Sequence, residues 1–174
     1  RDLLIASVLC DQPVLYIDDR WCYERESKLD PVEELDLTSI GPQCLKQGSD
    51  ITIVGSGYST YQSEQAADIL ESKGISAEVI DIRVLNPLNP EIIINSVKKT
   101  GRLLVIDGSW KNCGMAGEII ASVTESLDLS ALKCSPARMT LPDAPAPTSK
   151  PLEKNYYLTT EQVAEKAESM VSRN

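Results

Sequence analysis

One hundred and seventy-four residues, 42% of them apolar and 25% charged, suit one ordinary domain, or one domain plus a piece of another, with a core of normal size. A formal charge of −9 argues against nucleic acid and anionic membranes, which need basic surface, and makes a basic protein the natural partner. Histidine is absent, which removes the commonest general base, proton shuttle and zinc ligand at once.

Five cysteines (Cys10, Cys22, Cys44, Cys113, Cys134) are widely spaced, odd in number and form no C-x-x-C pair, which favours reduced thiols over a zinc site or a disulfide framework. No run approaches the roughly 18 apolar residues of a membrane span, and no signal-peptide pattern opens the chain. It starts at Arg1, as an excised or cloned piece would. Arg1–Cys10 reads as the end of a helix, and Pro13–Asp18 as a strand entering an acidic loop. Asp19–Ile40 is charged, lacks periodicity and reads as a surface linker. Its Trp21 and Tyr23 have two readings, anchors for a partner or packing against their own domain.

The regular part follows. Cys44–Gln47 is expected as a short edge strand. Gly48–Lys73 is the organising unit: strand Ile51–Val54, a bend at Gly55-Ser56-Gly57, and helix Ser59–Lys73. Ser59 with Gln62 predicts a capping box, and Gly74 a left-handed exit. Strand Ala77–Ile82 alternates apolar residues. Asn89 caps a helix opening with Pro90 and Glu91 and closing near Thr100-Gly101. Leu103–Ile106 is an unbroken apolar strand, Met115–Leu127 an amphipathic helix, and Lys133–Leu141 a further strand. Pro142–Pro151, holding four of the ten prolines, predicts an extended surface arm. Thr159 with Gln162 repeats the capping box and opens a last helix. This order predicts an α/β fold with a mostly parallel sheet of about five strands between two helical layers.

Open α/β sheets bind ligands at the carboxyl ends of their strands, here Gly55–Ser59, Arg83–Asn89 and Asp107–Gly114. The Gly55-x-Gly57 bend lacks the third glycine of a dinucleotide fingerprint, since Thr60 holds that place, although Asp81 formally matches the acidic position further on. A tight turn is the leading reading and a phosphate or nucleotide held by helix N–H groups the alternative. Cys113 beside a helix start has a nucleophile reading and a packing reading, and no histidine is present to act as its base. No carboxylate pair has spacing suited to acid/base work, so no catalytic residue is assigned.

The run ITIVGSGYSTYQSEQAADILESKGISAEVIDIRVLNPLNPEIIINSVKKTGRLLVIDGSWKNCGMAGEIIASV resembles the C-terminal domain of the transketolase family. It looks most like the β subunits of thiamine-diphosphate-dependent 2-oxo acid dehydrogenases. GISAEVIDIRVLNPLN followed by KKTGRLLVID, and the tail LPDAPAPTSKPLEKNYYLT, carry that likeness to pyruvate, acetoin and branched-chain types. Ala6–Trp21 resembles the last helix and strand of the family's pyrimidine-binding domain. The implied division is therefore 1–40, the end of that domain plus linker, and 41–174, the transketolase C-terminal-like domain.

The resemblance implies that the complete enzyme carries thiamine diphosphate with Mg, decarboxylates a 2-oxo acid and passes the acyl group to lipoyl. Nothing here matches the surroundings of the family's activating glutamate, so no cofactor is expected on this chain alone. Ser7, Cys10 and Gln12 match positions that hold a monovalent cation in some relatives, where Cys10 replaces an Asp. Asp107-Gly108 stands where relatives often have His-Glu. The implied partners are an α subunit or pyrimidine-binding domain, a second β copy, and the basic subunit-binding domain of an acyltransferase. Trp21, Tyr23, Trp110, Tyr156 and Tyr157 are the candidate interface residues. The implied location is bacterial cytoplasm or mitochondrial matrix. The alternatives are a transketolase-type ketol transferase section, a stand-alone anion-binding module, and a thiol enzyme using Cys113.

Overall fold

The computed structural model describes residues 1–26, 28–32 and 35–172. Strands β1 (Gln43–Lys46), β2 (Ile51–Gly55), β3 (Ala77–Asp81), β4 (Leu103–Trp110) and β5 (Ala137–Leu141) form one sheet in the order β1-β3-β2-β4-β5. β1 runs antiparallel to β3, and the other pairings are parallel. Helices α1 (Asp2–Leu9), α2 (Tyr58–Ser72), α3 (Glu91–Thr100), α4 (Met115–Ser126), α5 (Lys150–Tyr156) and α6 (Thr160–Val171) accompany the sheet, with short 3-10 turns at Arg20–Cys22, Leu37–Ser39 and Leu129–Ala131.

Alternation along the buried strands sorts the core into two layers. Ile51, Ile53, Val79, Leu104 and Ile106 meet Ala66, Ala67 and Leu70 of α2 and Val163, Ala164 and Met170 of α6. Val54, Ile80, Leu103 and Val105 meet Ile93 and Val97 of α3 and Ala116, Ile119 and Val123 of α4. The result is the expected α/β/α sandwich. Each largest apolar side chain lost from the two clusters costs on the order of 2–5 kcal/mol.

A polar seam crosses the second layer. Thr52 Oγ1 lies 2.7 Å from Ser96 Oγ and 2.8 Å from Thr100 Oγ1. Glu78, only 5% exposed, pairs with Lys99 and accepts from the Gly48 N–H at 3.1 Å. Arg102, 6% exposed, donates to the carbonyls of Met170 (3.0 Å), Val171 (3.2 Å) and Asp50 (3.2 Å). It thereby satisfies carbonyls that the last turn of α6 leaves without intrahelical partners.

Several expectations are corrected. Ser59 does not cap α2: Gly57, at φ 56°, is the cap, Ser59 lies inside the helix, and Gln62 donates instead to the Leu158 carbonyl at 2.6 Å. Gly57 admits a left-handed bend, which starts the helix earlier. A Cβ on Gly55 would stand 2.8 Å from the Thr60 nitrogen, so the strand end and helix approach too closely for a side chain. Pro13–Asp18 has no ladder and forms no strand. β4 runs past Ile106 to Trp110, shifting register against β5 after Asp107. β5 begins at Ala137 rather than Lys133. The proline arm ends sooner than expected, because Lys150 and Pro151 form the first turn of α5, where proline's missing N–H costs nothing. The Thr159–Gln162 capping box and the Gly74 exit at φ 77° form as expected. Asn89 is not the cap of α3: the helix starts at Glu91 with Pro90 as its cap residue, and Asn89, one residue earlier, accepts from the Glu91 N–H at 3.3 Å.

Candidate functional site at the carboxyl edge of the sheet

All three carboxyl-edge loops are ordered by carboxylates from this chain. At the first, Asp19 accepts from the Tyr58 N–H at 3.2 Å and from the Trp21 N–H at 3.1 Å. At the second, Asp81 accepts from Thr60 Oγ1 at 3.0 Å, beside Arg83 at φ 63°. Burial pushes the Asp81 carboxyl above its ordinary range, and the Thr60 hydroxyl and Arg83 only partly oppose this. At the third, Asp107 accepts from the Ser109 N–H at 2.9 Å and the Ala116 N–H at 2.8 Å, so it caps α4. Gly114 is required there, since a Cβ would stand 2.3 Å from the Trp110 carbonyl oxygen. Cys113 is exposed at φ 58° in the same loop.

This chemistry does not fit a diphosphate cradle. Two helix starts at this edge already direct N–H groups at Asp19 and Asp107, and a second anion there would meet like charge. The residues present therefore do not fit thiamine diphosphate.

What the edge does assemble is an aromatic chain. Tyr61 and Tyr58 of α2 lie 5.7 Å apart, Tyr58 lies 5.9 Å from Trp21, Trp21 is 5.5 Å from Tyr157, and Tyr157 is 5.1 Å from Tyr156. Trp110 Nε1 donates to Tyr156 Oη at 3.2 Å, and that hydroxyl donates to the Ala144 carbonyl at 2.7 Å. Six of the eight aromatic residues are thus linked across the linker, α2, α5 and β4. Four of the five expected interface residues fall in it, while Tyr23 lies outside and donates to the Asp18 carboxylate. Tyr58 and Tyr61 escaped sequence reading; their i, i+3 spacing at a helix start is the signal that marks them. Beside the chain an open groove of about 620 Å³ is lined by Tyr58, Tyr61, Gln65, Asp68, Thr160 and Glu161.

Ser7, Cys10 and Gln12 lie elsewhere, at the end of α1. Ser7 Oγ donates to the Leu3 carbonyl at 2.7 Å, and Cys10 leaves the helix in an extended conformation. Among the described residues no group of three or more Cys, Asp or Glu is placed to hold a metal. Around these positions the chain presents apolar side chains to solvent, with Val8 77%, Leu15 86% and Ile17 70% exposed.

The sheet order, the two helical layers and the carboxyl-edge loops define a transketolase C-terminal domain: residues 43–163 match that family, and the chain belongs to it. Its relatives are more particular. The chain is 33% identical over 150 residues, 86% of this chain and 46% of the relative, to the pyruvate dehydrogenase E1 component subunit beta of Acholeplasma laidlawii. It is 32% identical over 177 residues, 100% of this chain and 49% of the relative, to the mitochondrial pyruvate dehydrogenase E1 component subunit beta of Dictyostelium discoideum. A solved split-gene transketolase, an inactive beta4 tetramer, superposes with a TM-score of 0.65 at 25% identity, covering 76% of this chain and 41% of that one. The chain spans about half the length of the curated relatives it matches.

Proposed function

We propose that this chain is the C-terminal part of the β subunit of a thiamine-diphosphate-dependent 2-oxo acid dehydrogenase, and that its task is assembly. Likeness to pyruvate dehydrogenase E1 β subunits along almost the whole chain carries this reading. Residues 1–40 then belong to the end of a pyrimidine-binding domain with its linker, and 41–174 to the assembly domain. The exposed apolar side chains of Val8, Leu9, Leu15 and Ile17 suit burial against the rest of that domain or an α subunit. The C-terminal domain pairs with a second copy. The groove carrying Asp68 and Glu161 receives the basic subunit-binding domain of an acyltransferase, in keeping with the charge of −9. Trp21, Tyr23, Trp110, Tyr156 and Tyr157 contribute to these contacts. Carbonyls at the end of α1, with Ser7, Cys10 and Gln12, are a neutral donor set of the kind a monovalent cation takes. The complete enzyme, working in bacterial cytoplasm or the mitochondrial matrix, decarboxylates a 2-oxo acid on thiamine diphosphate with Mg and transfers the acyl group to lipoyl.

Native mass spectrometry and turnover assays test this. The chain alone is expected to form dimers, to bind an α subunit and to show no thiamine-dependent turnover. Tight thiamine diphosphate binding with turnover by this chain alone would sink the assignment. A transketolase-type ketol transferase is the second reading, favoured by the superposition on the split-gene transketolase. Ketol transfer between sugars by the reconstituted enzyme, without acylation of lipoyl, would select it.

A further inference from the structure

We propose that residues 19–25 form a releasable strap over the amino end of α2, and that this strap sets where residues 1–18 lie against the sheet domain. The proposal is independent of the functional reading above. α2 has no side-chain cap of its own, and its cap residue Gly57 takes φ 56°. Asp19 supplies what is missing from 39 residues away: one carboxylate oxygen accepts from the Tyr58 N–H of the helix, the other from the Trp21 N–H of the strap. Glycine suits this cap through its φ of 56° rather than through space, since a Cβ placed there would lie in ordinary contact, 3.5 Å from the Asp19 carboxylate. Trp21 then rests on Tyr58 and Tyr157, and the Arg25 guanidinium sits 3.9 Å over the Tyr61 ring.

Residues 10–19 contain no helix or strand, and among the described residues no backbone hydrogen bond joins 10–18 to the rest of the chain. α1 is tied to the linker instead, through Arg1 and the carbonyls of Asp30 (2.7 Å) and Pro31 (3.3 Å). The strap is made to open. None of Arg20–Cys22 is buried and Trp21 is 57% exposed, so release uncovers little apolar area and precedes global unfolding. Opening also uncaps α2, so the position of residues 1–18 and the order of the Gly55–Tyr58 turn are coupled through Asp19.

Limited trypsin digestion of the 174-residue chain, followed at Arg20 and Arg25, reads the open population directly. Asp19→Ala and Trp21→Ala are each expected to speed cleavage about fivefold, as loss of one cap or one ring anchor would, with the urea midpoint nearly unchanged. Asp19→Asn, which keeps an acceptor oxygen, is expected to rise less than Asp19→Ala. A rise below about twofold in either alanine variant, or one that only tracks a falling urea midpoint, overturns the proposal.

Discussion

Glu78 and Asp81 stand on the same strand but face opposite helical layers, and their surroundings move them in opposite directions. For Glu78 burial is the largest single influence and pushes the carboxyl up, yet Lys99, Ser96 and the Gly48 N–H together outweigh it and hold the group low. A lowered folded value means stability present above the unfolded value near 4.3 and lost as pH falls through the folded one. Urea midpoints measured from pH 5 downward should therefore fall less steeply for Glu78→Gln than for the unmodified chain. Asp81 has the reverse sign: its stability is full below about 3.9 and is lost as pH rises through the raised folded value. Asp81→Asn keeps an acceptor for Thr60, so it should be the more stable protein at pH 7, with the advantage gone near pH 3. Arg102 poses a different question, because its three bonds end on main-chain carbonyls, two of them in the last turn of α6. Arg102→Met should cost about 3 kcal/mol in urea unfolding, most of it from the abandoned carbonyls of α6. Its role was invisible in the sequence, where Lys-Lys-Thr-Gly-Arg reads as an ordinary basic helix end.

At the scale of elements, two similar signals had different outcomes. Ser59–Gln62 and Thr159–Gln162 both spell a capping box, and only the second forms one. Thr159 Oγ1 accepts from the Gln162 N–H at 3.3 Å, and Gln162 Oε1 from the Thr159 N–H at 3.0 Å. Thr159→Ala should therefore destabilise the fold by about 1 kcal/mol, measured by thermal or urea unfolding, whereas Ser59 has no capping bond to lose. At α2 the glycine turn starts the helix early and Asp19 supplies the cap, a partner no local window contains. The same limit explains Pro13–Asp18, which has a strand's composition but no ladder to join. Strands β2, β3 and β4 were legible because burial on both faces makes them apolar along most of their length and turn residues bound each of them.

Across the molecule, the linked rings tie together segments that are far apart in sequence. Tyr156, 9% exposed, is the joint: its hydroxyl accepts from Trp110 on β4 and donates to Ala144 in the proline arm. Tyr156→Phe should cost about 1–2 kcal/mol and raise protease cleavage within 142–149, since it removes both bonds and leaves the arm held by the Asn112 amide on Asp143 at 3.0 Å. Trp21 and Tyr157 meet only because the linker folds back over α2. By itself the sequence determined the α/β class, the five strands and the helices α2, α3, α4 and α6 apart from their exact ends, and the lack of any histidine chemistry. Periodic apolar patterning and composition are local properties that survive without coordinates. Only the tertiary structure decided where α2 begins, which carboxylates cap α2 and α4, that Arg102 closes α6, and that the rings form one chain. Each of those depends on two groups distant in sequence meeting within a few ångströms, and the pairing is chosen by packing of the whole fold.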